Sequence, residues 1–257
     1  MRIRTSRSVR LALLPPRLKP YLGLAPAFGV GNAAALTPLH YNQSEVEEVN
    51  TLTKGLVLSG MEASKKSFLE QQSGYRIIHL ATHGKAHSGS GDFSFLGFSG
   101  DTTTQLEEMK LFVREIYNLQ TNAEMIVLSA CETGIGEVQT GEGMASIARS
   151  FSYAGAQSLM ATQWSVDDKA TKELVRSFFE NIKKALPKDQ ALRDAQLEFL
   201  VSHGTKEAHP YFWAAMIPIG DMTPIGNSRP FLWIGLVLIL VLLGWIILWW
   251  KKKRPLL

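Results

Sequence analysis

The stretch Leu128-Ser129-Ala130-Cys131-Glu132-Thr133-Gly134 contains the only cysteine of this 257-residue chain. The apolar run Glu124-Met125-Ile126-Val127-Leu128 directly precedes the cysteine segment and predicts a short buried strand. Gly134 and Gly136 come next, and a helix is predicted to begin near Glu142. The thiol is therefore expected where a buried strand ends. In open parallel sheets this is the edge at which ligands and reactive groups collect.

A second stretch upstream repeats the same design. Arg76-Ile77-Ile78-His79-Leu80-Ala81-Thr82-His83-Gly84 is an apolar strand followed by a histidine and a glycine, about 50 residues before Cys131. A nearby histidine is the usual means of turning a thiol into its reactive thiolate. We therefore predict a cysteine peptidase with Cys131 as nucleophile and His83 as base, and with the N–H groups of Gly84 and Cys131 holding the oxyanion. A lone cysteine is more often a buried packing residue, so the pattern alone leaves that alternative open.

The rest of the chain alternates short apolar strands with amphipathic helices. Strands are predicted at 21–28, 56–58, 124–128, 158–162 and 212–219, with helices at 44–54, 64–72, 142–155 and 189–201 and a further long one after Asp168. Ser44-Glu45-Val46-Glu47 is a capping-box pattern that predicts the start of the first helix. This alternation predicts an α/β fold with a parallel sheet covered on both faces.

Asp167 and Asp168 allow two interpretations. They stand where an N-cap belongs, directly before the long helix. They also follow the strand next to the cysteine strand, so they could form an acidic pocket for a basic substrate side chain. The residue pattern alone favours the cap.

Two cofactor classes are not predicted. His79, His83 and His87 are spaced by four, but Ile77–Thr82 resembles a strand and Gly84 would break a helix, so we expect no metal site and a hydrogen-bonded His79 within the sheet. The glycines after Cys131 do not form a G-x-G-x-x-G pattern, because Gln139 stands in place of the third glycine, and no Walker lysine is present. We expect no nucleotide and no other cofactor.

The positive charge lies at the two ends of the chain. Residues 1–19 hold six basic residues and no acid, and residues 251–254 hold four more. Residues 20–230 contain the other 17 of the 27 lysines and arginines and all 23 acidic residues, so this part of the chain has a net charge of −6. A nucleic-acid-binding domain would show the reverse balance, so we expect no nucleic-acid partner.

The segment Phe231–Trp250 has 20 residues without a charge or a proline. At about 1.5 Å per residue, such a helix spans a hydrocarbon core of roughly 30 Å. Tryptophans stand near both of its ends, as in an aromatic belt. We predict a membrane span here. The basic tail 251–257 would be cytoplasmic by the positive-inside rule, yet no signal peptide is present to export the large domain, and we expect that domain on the cytoplasmic side.

Several motifs together resemble the CHAT domain, a caspase- and separase-related peptidase family of clan CD type. They are His79-Leu80-Ala81-Thr82-His83-Gly84, Val127–Gly134, Gly141-Glu142-Gly143, Gln163–Thr171, Ala191–Gln196 and His209–Ala215. Their type, order and spacing agree with the family from about residue 36 to Asp221.

The resemblance implies a caspase-like three-layer α/β/α sandwich with a mostly parallel sheet of about six strands. It also implies a His83/Cys131 dyad without cofactor or metal, and an acidic Asp168 that meets a basic P1 side chain. The expected division is a disordered lead-in over 1–20, the CHAT domain over 21–222, a linker over 223–230, and the span over 231–250.

The expected function is a membrane-anchored cysteine endopeptidase of bacterial type, active in signalling or regulated proteolysis on protein or peptide substrates. The family's 34-residue tetratricopeptide repeats are not found in this sequence, so a repeat-containing partner is expected to supply recognition. The alternative is a catalytically silent CHAT module that acts as a protein-interaction scaffold at the membrane.

Overall fold

The computed structural model describes residues 18–87, 90–129, 142–164, 167–204 and 207–226, together with Leu242 and Trp245. Cys131, both glycines that follow it, and all but two residues of the predicted membrane span lie outside this set. The predicted lead-in over 1–20 also falls almost wholly outside these ranges, because the first of them begins at residue 18.

Nine strands and eight α-helices make up the described part of the chain. In chain order these are β1 (Lys19–Pro26), α1 (Asn42–Thr53), β2 (Leu56–Gly60), α2 (Lys65–Gln71), β3 (Tyr75–Leu80), β4 (Gly84–Lys85), β5 (Phe95–Gly97), α3 (Leu106–Met109), β6 (Lys110–Phe112), α4 (Val113–Ile116), β7 (Met125–Leu128), α5 (Glu142–Tyr153), β8 (Ser158–Thr162), α6 (Asp168–Lys183), α7 (Lys188–Ser202), α8 (Pro210–Trp213) and β9 (Met216–Gly220).

The main sheet has six strands in the order β2-β1-β3-β7-β8-β9. All neighbours run parallel except β9, which is antiparallel to β8. The predicted α/β class with a mostly parallel six-stranded sheet is therefore confirmed. The central pair β3 and β7 is in register through Leu80 and Leu128, so both strands end at the same edge of the sheet.

Each central strand sends alternate side chains to two separate cores, because successive residues of a strand point to opposite faces. In β7, Ile126 and Leu128 join the core covered by α2 and α5, whereas Met125 and Val127 join the core covered by α6 and α7. Burial on both faces explains why β7 is a continuous apolar run rather than an alternating one. The result is three layers, helices over sheet over helices.

A small second sheet lies beside the ends of the central strands. Its three antiparallel strands are β4, β5 and β6 in that order. The alternation of large apolar and small residues over 93–98 is typical of a half-exposed strand, but β5 is fully buried. Phe95 packs with Phe28 and Leu36 from the segment after β1, which closes over the side that the sequence pattern assigns to solvent.

The first helix does not begin at the predicted capping box. Helix α1 begins two residues earlier, at Asn42, and Ser44 donates instead to Tyr41 O (2.9 Å). The Asn42 amide bonds to Pro26 O and Ala81 O, at 2.9 and 3.3 Å. Because these tertiary hydrogen bonds fix the first turn, they override the local signal.

The region predicted as a final strand, 212–219, divides into α8 and β9. Within the described residues, no helix is long and apolar enough to cross a bilayer. The predicted span over 231–250 remains a prediction, since only Leu242 and Trp245 of that stretch are described.

Candidate active site

The site is built where β3 and β7 end side by side. Leu80 pairs with Leu128, and the Ser129 N–H then donates to Leu80 O (3.2 Å), so the ladder continues one residue beyond the strands. On the β3 side, the Thr82 hydroxyl donates to Gly97 O (2.6 Å), which ties the end of this strand to β5. The two predicted catalytic residues, His83 and Cys131, each follow the paired leucine of their strand by three positions.

His83 is held in one orientation. Its ring is buried, with 1% of its surface exposed, and Nε2 lies 2.7 Å from Thr37 O. The Phe28 ring packs against it, with 4.9 Å between ring centroids. A carbonyl oxygen only accepts hydrogen bonds, so Nε2 carries a proton, and in the neutral imidazole Nδ1 is then the basic nitrogen. The sequence analysis did not identify Thr37 or Phe28 as neighbours of His83. Thr37 contributes only its backbone carbonyl, which leaves no signal in the residue type.

Gly84 directly follows the base and starts β4. It faces Leu96 across the antiparallel ladder, beside the hydrogen bond from Gly97 N–H to His83 O (2.7 Å). Hydrogen-bonded and non-hydrogen-bonded pairs alternate along such a ladder. Gly84 occupies a position of the second kind, so its N–H points away from β5. That geometry suits a donor for an oxyanion.

Ser129 is the described residue nearest in sequence to Cys131, which itself lies outside the described residues. Its side chain is buried, and Oγ lies 2.9 Å from His79 Nε2 and donates to Glu45 Oε1. Position 129 is therefore held by its backbone and by its side chain. The predicted roles of Cys131 as nucleophile and oxyanion donor remain predictions.

Asp167 is the N-cap of α6. Its Oδ1 accepts hydrogen bonds from the N–H groups of Lys169 and Ala170, both at 3.0 Å. These bonds satisfy two of the amides that every helix leaves unpaired at its N-terminus. The local interpretation of Asp167 as a cap is thus the one the structure supports.

Asp168 lies on the site side of the same helix end. Burial raises the pKa of its carboxyl group from the ordinary value, and the charges of Glu45 and Asp167 add to the shift. A hydrogen bond from the His40 N–H and the nearby His83 act in the opposite direction. Asp168 therefore shares an electrostatic environment with the predicted base, although the two residues are far apart in sequence.

A small cavity joins Asp168 to the end of β7. Its volume is about 10 Å³, which is room for about one water molecule, and its lining is Leu39, Asn42, Glu45, Ser129, Asp168 and Thr171. Glu45 was not predicted as a site residue. The sequence pattern placed it inside a capping box, where its partners on β3 and β7 could not be foreseen.

His79 is a hydrogen-bonded histidine within the sheet, as predicted. Both ring nitrogens are engaged, Nδ1 by the Tyr21 hydroxyl (2.9 Å) and Nε2 by Glu45 (2.7 Å) and Ser129. Across the described ranges, no three histidine, cysteine or acidic side chains are placed together to hold a metal ion.

Two curated proteins are similar to part of this chain. Tetratricopeptide repeat protein 28 of Mus musculus and that of Homo sapiens are each 28% identical to this chain over 116 residues, which is 45% of this chain and 5% of those proteins. The chain thus spans only a small part of the length of these curated relatives.

Two solved structures are similar to this chain over most of its length, at low sequence identity. The Arg-specific cysteine proteinase gingipain R has a TM-score of 0.49 and 10% identity, over 81% of this chain and 47% of that one. The complex of pro- and mature domains of RgpB from Porphyromonas gingivalis has a TM-score of 0.47 and 11% identity, over 81% and 48%. The profile of the CHAT domain matches residues 4–221, most of the chain. The chain belongs to the CHAT domain family.

Proposed function

We propose that this chain is a cysteine endopeptidase in which Cys131 is the nucleophile and His83 is the base. The observation that carries the proposal is the hydrogen bond from His83 Nε2 to Thr37 O, because it makes Nδ1 the basic nitrogen at the end of β3. The register of β3 and β7 supports Cys131 as the partner of His83. Leu80 pairs with Leu128, and each catalytic residue comes three positions after the leucine of its strand.

The chemistry proceeds in two halves. His83 Nδ1 takes the proton of the Cys131 thiol, and the thiolate sulfur forms a bond to the scissile carbonyl carbon. The oxyanion accepts hydrogen bonds from the N–H groups of Gly84 and Cys131. When the C–N bond breaks, His83 gives its proton to the leaving amine. A water molecule then loses a proton to His83, attacks the acyl carbon and releases the acid and the thiol.

Asp168 is proposed to bind a basic P1 side chain. A half-buried carboxylate beside the strand ends suits a lysine or arginine head group, and Asp167 adds negative charge nearby. The sign of the pH dependence follows from the raised pKa of Asp168. Below that pKa the carboxyl group is neutral, so the preference for a basic P1 residue is expected to weaken as the pH falls through it, whereas a neutral P1 substrate is not affected in this way.

Membrane attachment through 231–250 is part of the proposal, with the catalytic domain on the cytoplasmic side and a tetratricopeptide-repeat partner bringing the substrate. The apolar length of that segment and its flanking tryptophans support the anchor. Partition of the full chain into membranes, compared with a chain ending at Gly226, tests it. Recovery of both chains in the soluble fraction would contradict the anchor.

The catalytic proposal is tested by labelling the full chain with an arginyl chloromethyl ketone. Since Cys131 is the only cysteine, mass spectrometry should find a single labelled residue, and labelling should be lost in Cys131→Ala. His83→Ala should slow labelling by ~100-fold or more, because a general base contributes about that factor. Labelling that survives Cys131→Ala would remove Cys131 as the nucleophile. Absence of labelling in the wild-type chain would favour the silent, partner-binding module.

Specificity is tested with a peptide library. Asp168→Asn should lose the preference for arginine and lysine at P1. The matched control is Asp189→Asn, an exposed acid in the first turn of α7. A wild-type preference for an acidic P1 residue would contradict the proposed role of Asp168.

A further inference from the structure

A buried polar cluster lies directly beneath the proposed site and takes no part in the chemistry. It consists of Tyr21 on β1, Glu45 on α1, His79 on β3 and Ser129 after β7. Each of these residues is only 0 to 4% exposed, so none of them can contact a substrate. Burying four polar groups is costly unless they satisfy one another, and so the cluster calls for a physical explanation.

The four side chains form one continuous chain of hydrogen bonds. Burial, and to a lesser degree the Glu45 charge, raise the pKa of Tyr21 well above its ordinary value, so Tyr21 keeps its hydroxyl proton. That hydroxyl donates to Val46 O (3.4 Å) and lies 2.9 Å from His79 Nδ1, while His79 Nε2 lies 2.7 Å from Glu45 Oε1 and 2.9 Å from Ser129 Oγ. The Ser129 hydroxyl donates to the same Glu45 oxygen. The Ser129 hydroxyl is thus held between His79 and Glu45 in one orientation.

The cluster ends on the chain segment that carries the nucleophile. Ser129 is two residues before Cys131, and its N–H is bonded to Leu80 O (3.2 Å) while its Oγ is bonded to α1 and β3. The strand end is therefore fixed against two different elements, β3 and α1. The base has its own attachments, through Thr37 and Phe28, to the segment that leads into α1.

We infer that Tyr21, Glu45, His79 and Ser129 form a positioning network that holds the segment before Cys131 in register with His83. The inference rests on the proposed function, since it assigns the network a task only if Cys131 pairs with His83. These are positioning residues, not catalytic ones. Misplacement by about 1 Å is enough to cost ~100-fold in rate, which is why a fixed Ser129 matters to a thiol two residues away.

The inference is tested by the reactivity of the Cys131 thiol, which needs no known substrate. The full chain in detergent is alkylated with iodoacetamide over a range of pH, and since the chain has one cysteine the rate reports Cys131 alone. A thiol paired with a histidine has a pKa below about 7.5, whereas a free thiol has a pKa of about 8.5. In Ser129→Ala the inflection is expected to rise by about one pH unit, which lowers the rate at acidic pH about tenfold.

The matched control is Ser158→Ala at the start of β8. Ser158 is also fully buried, and its hydroxyl donates to Glu124 O (2.7 Å) at the opposite edge of the sheet. Ser158→Ala also removes a buried, hydrogen-bonded serine hydroxyl, but it should leave the inflection unchanged. Tyr21→Phe, which keeps the ring and removes only the hydroxyl, is the second variant and should shift the inflection in the same direction. Circular dichroism confirms that each variant is folded.

The outcomes separate the two proposals. A low wild-type inflection that neither Ser129→Ala nor Tyr21→Phe raises would overturn the positioning network and leave the His83/Cys131 dyad intact. An equal rise in Ser158→Ala would also overturn it, because any buried serine would then do the same. A wild-type inflection near about 8.5 would contradict the dyad itself and the network with it.

Discussion

Replacing Glu45 by alanine should destabilise the fold by about 2 to 4 kcal/mol. The residue is 4% exposed, and its carboxylate accepts hydrogen bonds from His79 Nε2 (2.7 Å) and from Ser129. Without the Glu45 carboxylate, His79 Nε2 and Ser129 Oγ keep their contact with each other (2.9 Å) but lose the oxygen that accepts hydrogen bonds from both. A hydrogen bond to a charged group contributes about 1.5–3 kcal/mol, and a buried donor left without a partner costs a similar amount.

The measurement is urea unfolding of the full chain in detergent at neutral pH. Glu47→Ala is the control, because Glu47 is exposed on the same helix and bonds to the exposed side chain of Gln43. It should change the free energy of unfolding by less than about 0.5 kcal/mol. Both variants gain the same helix propensity, so the difference reports the buried cluster. Equal changes in the two variants would refute the reasoning.

Three further predictions concern stability. Asp167→Ala should cost about 1 kcal/mol in urea unfolding through loss of the α6 cap, and no change would contradict the cap. Gly155→Ala should cost at least ~1 kcal/mol, because φ is +109° and a Cβ would lie 2.6 Å from Thr121 O, whereas Gly74→Ala, with open space, serves as control. Burial raises the pKa of Asp168, so its ionised form opposes folding above that pKa. Asp168→Asn should therefore raise the free energy of unfolding at neutral pH, and this advantage over the wild type should shrink as the pH falls. An advantage that stays the same at every pH would contradict this.

The segment between β1 and the first turn of α1 organises much of the candidate site. It supplies the Phe28 ring and the Thr37 carbonyl to His83, the His40 N–H to Asp168, and Glu45 to the buried cluster. Asn32 closes the segment on itself, with bonds from its amide to Gly29 O (2.7 Å) and Leu36 O (2.8 Å). None of these residues belongs to a motif that the sequence analysis singled out for chemistry.

The stretch around His79 shows a case in which sequence periodicity was sufficient to predict the local structure. Ile77 to Leu80 predicts a strand, which excludes the helical face that a four-residue spacing of metal ligands needs, and β3 covers these residues. The same pattern predicted a hydrogen bond for His79 but not its partners. Those come from β1, α1 and the end of β7, which are 34 to 58 residues away along the chain.

The sequence by itself determined the parallel strands of the main sheet, the long helices and the edge at which β3 and β7 end. These depend on local apolar periodicity and on the rule that parallel strands end at the same edge. Only the tertiary structure decided the start of α1, the tautomer of His83 and the partners of Glu45. A backbone carbonyl such as that of Thr37 is present at every residue, and so only the folding of distant segments against each other selects which one meets the histidine.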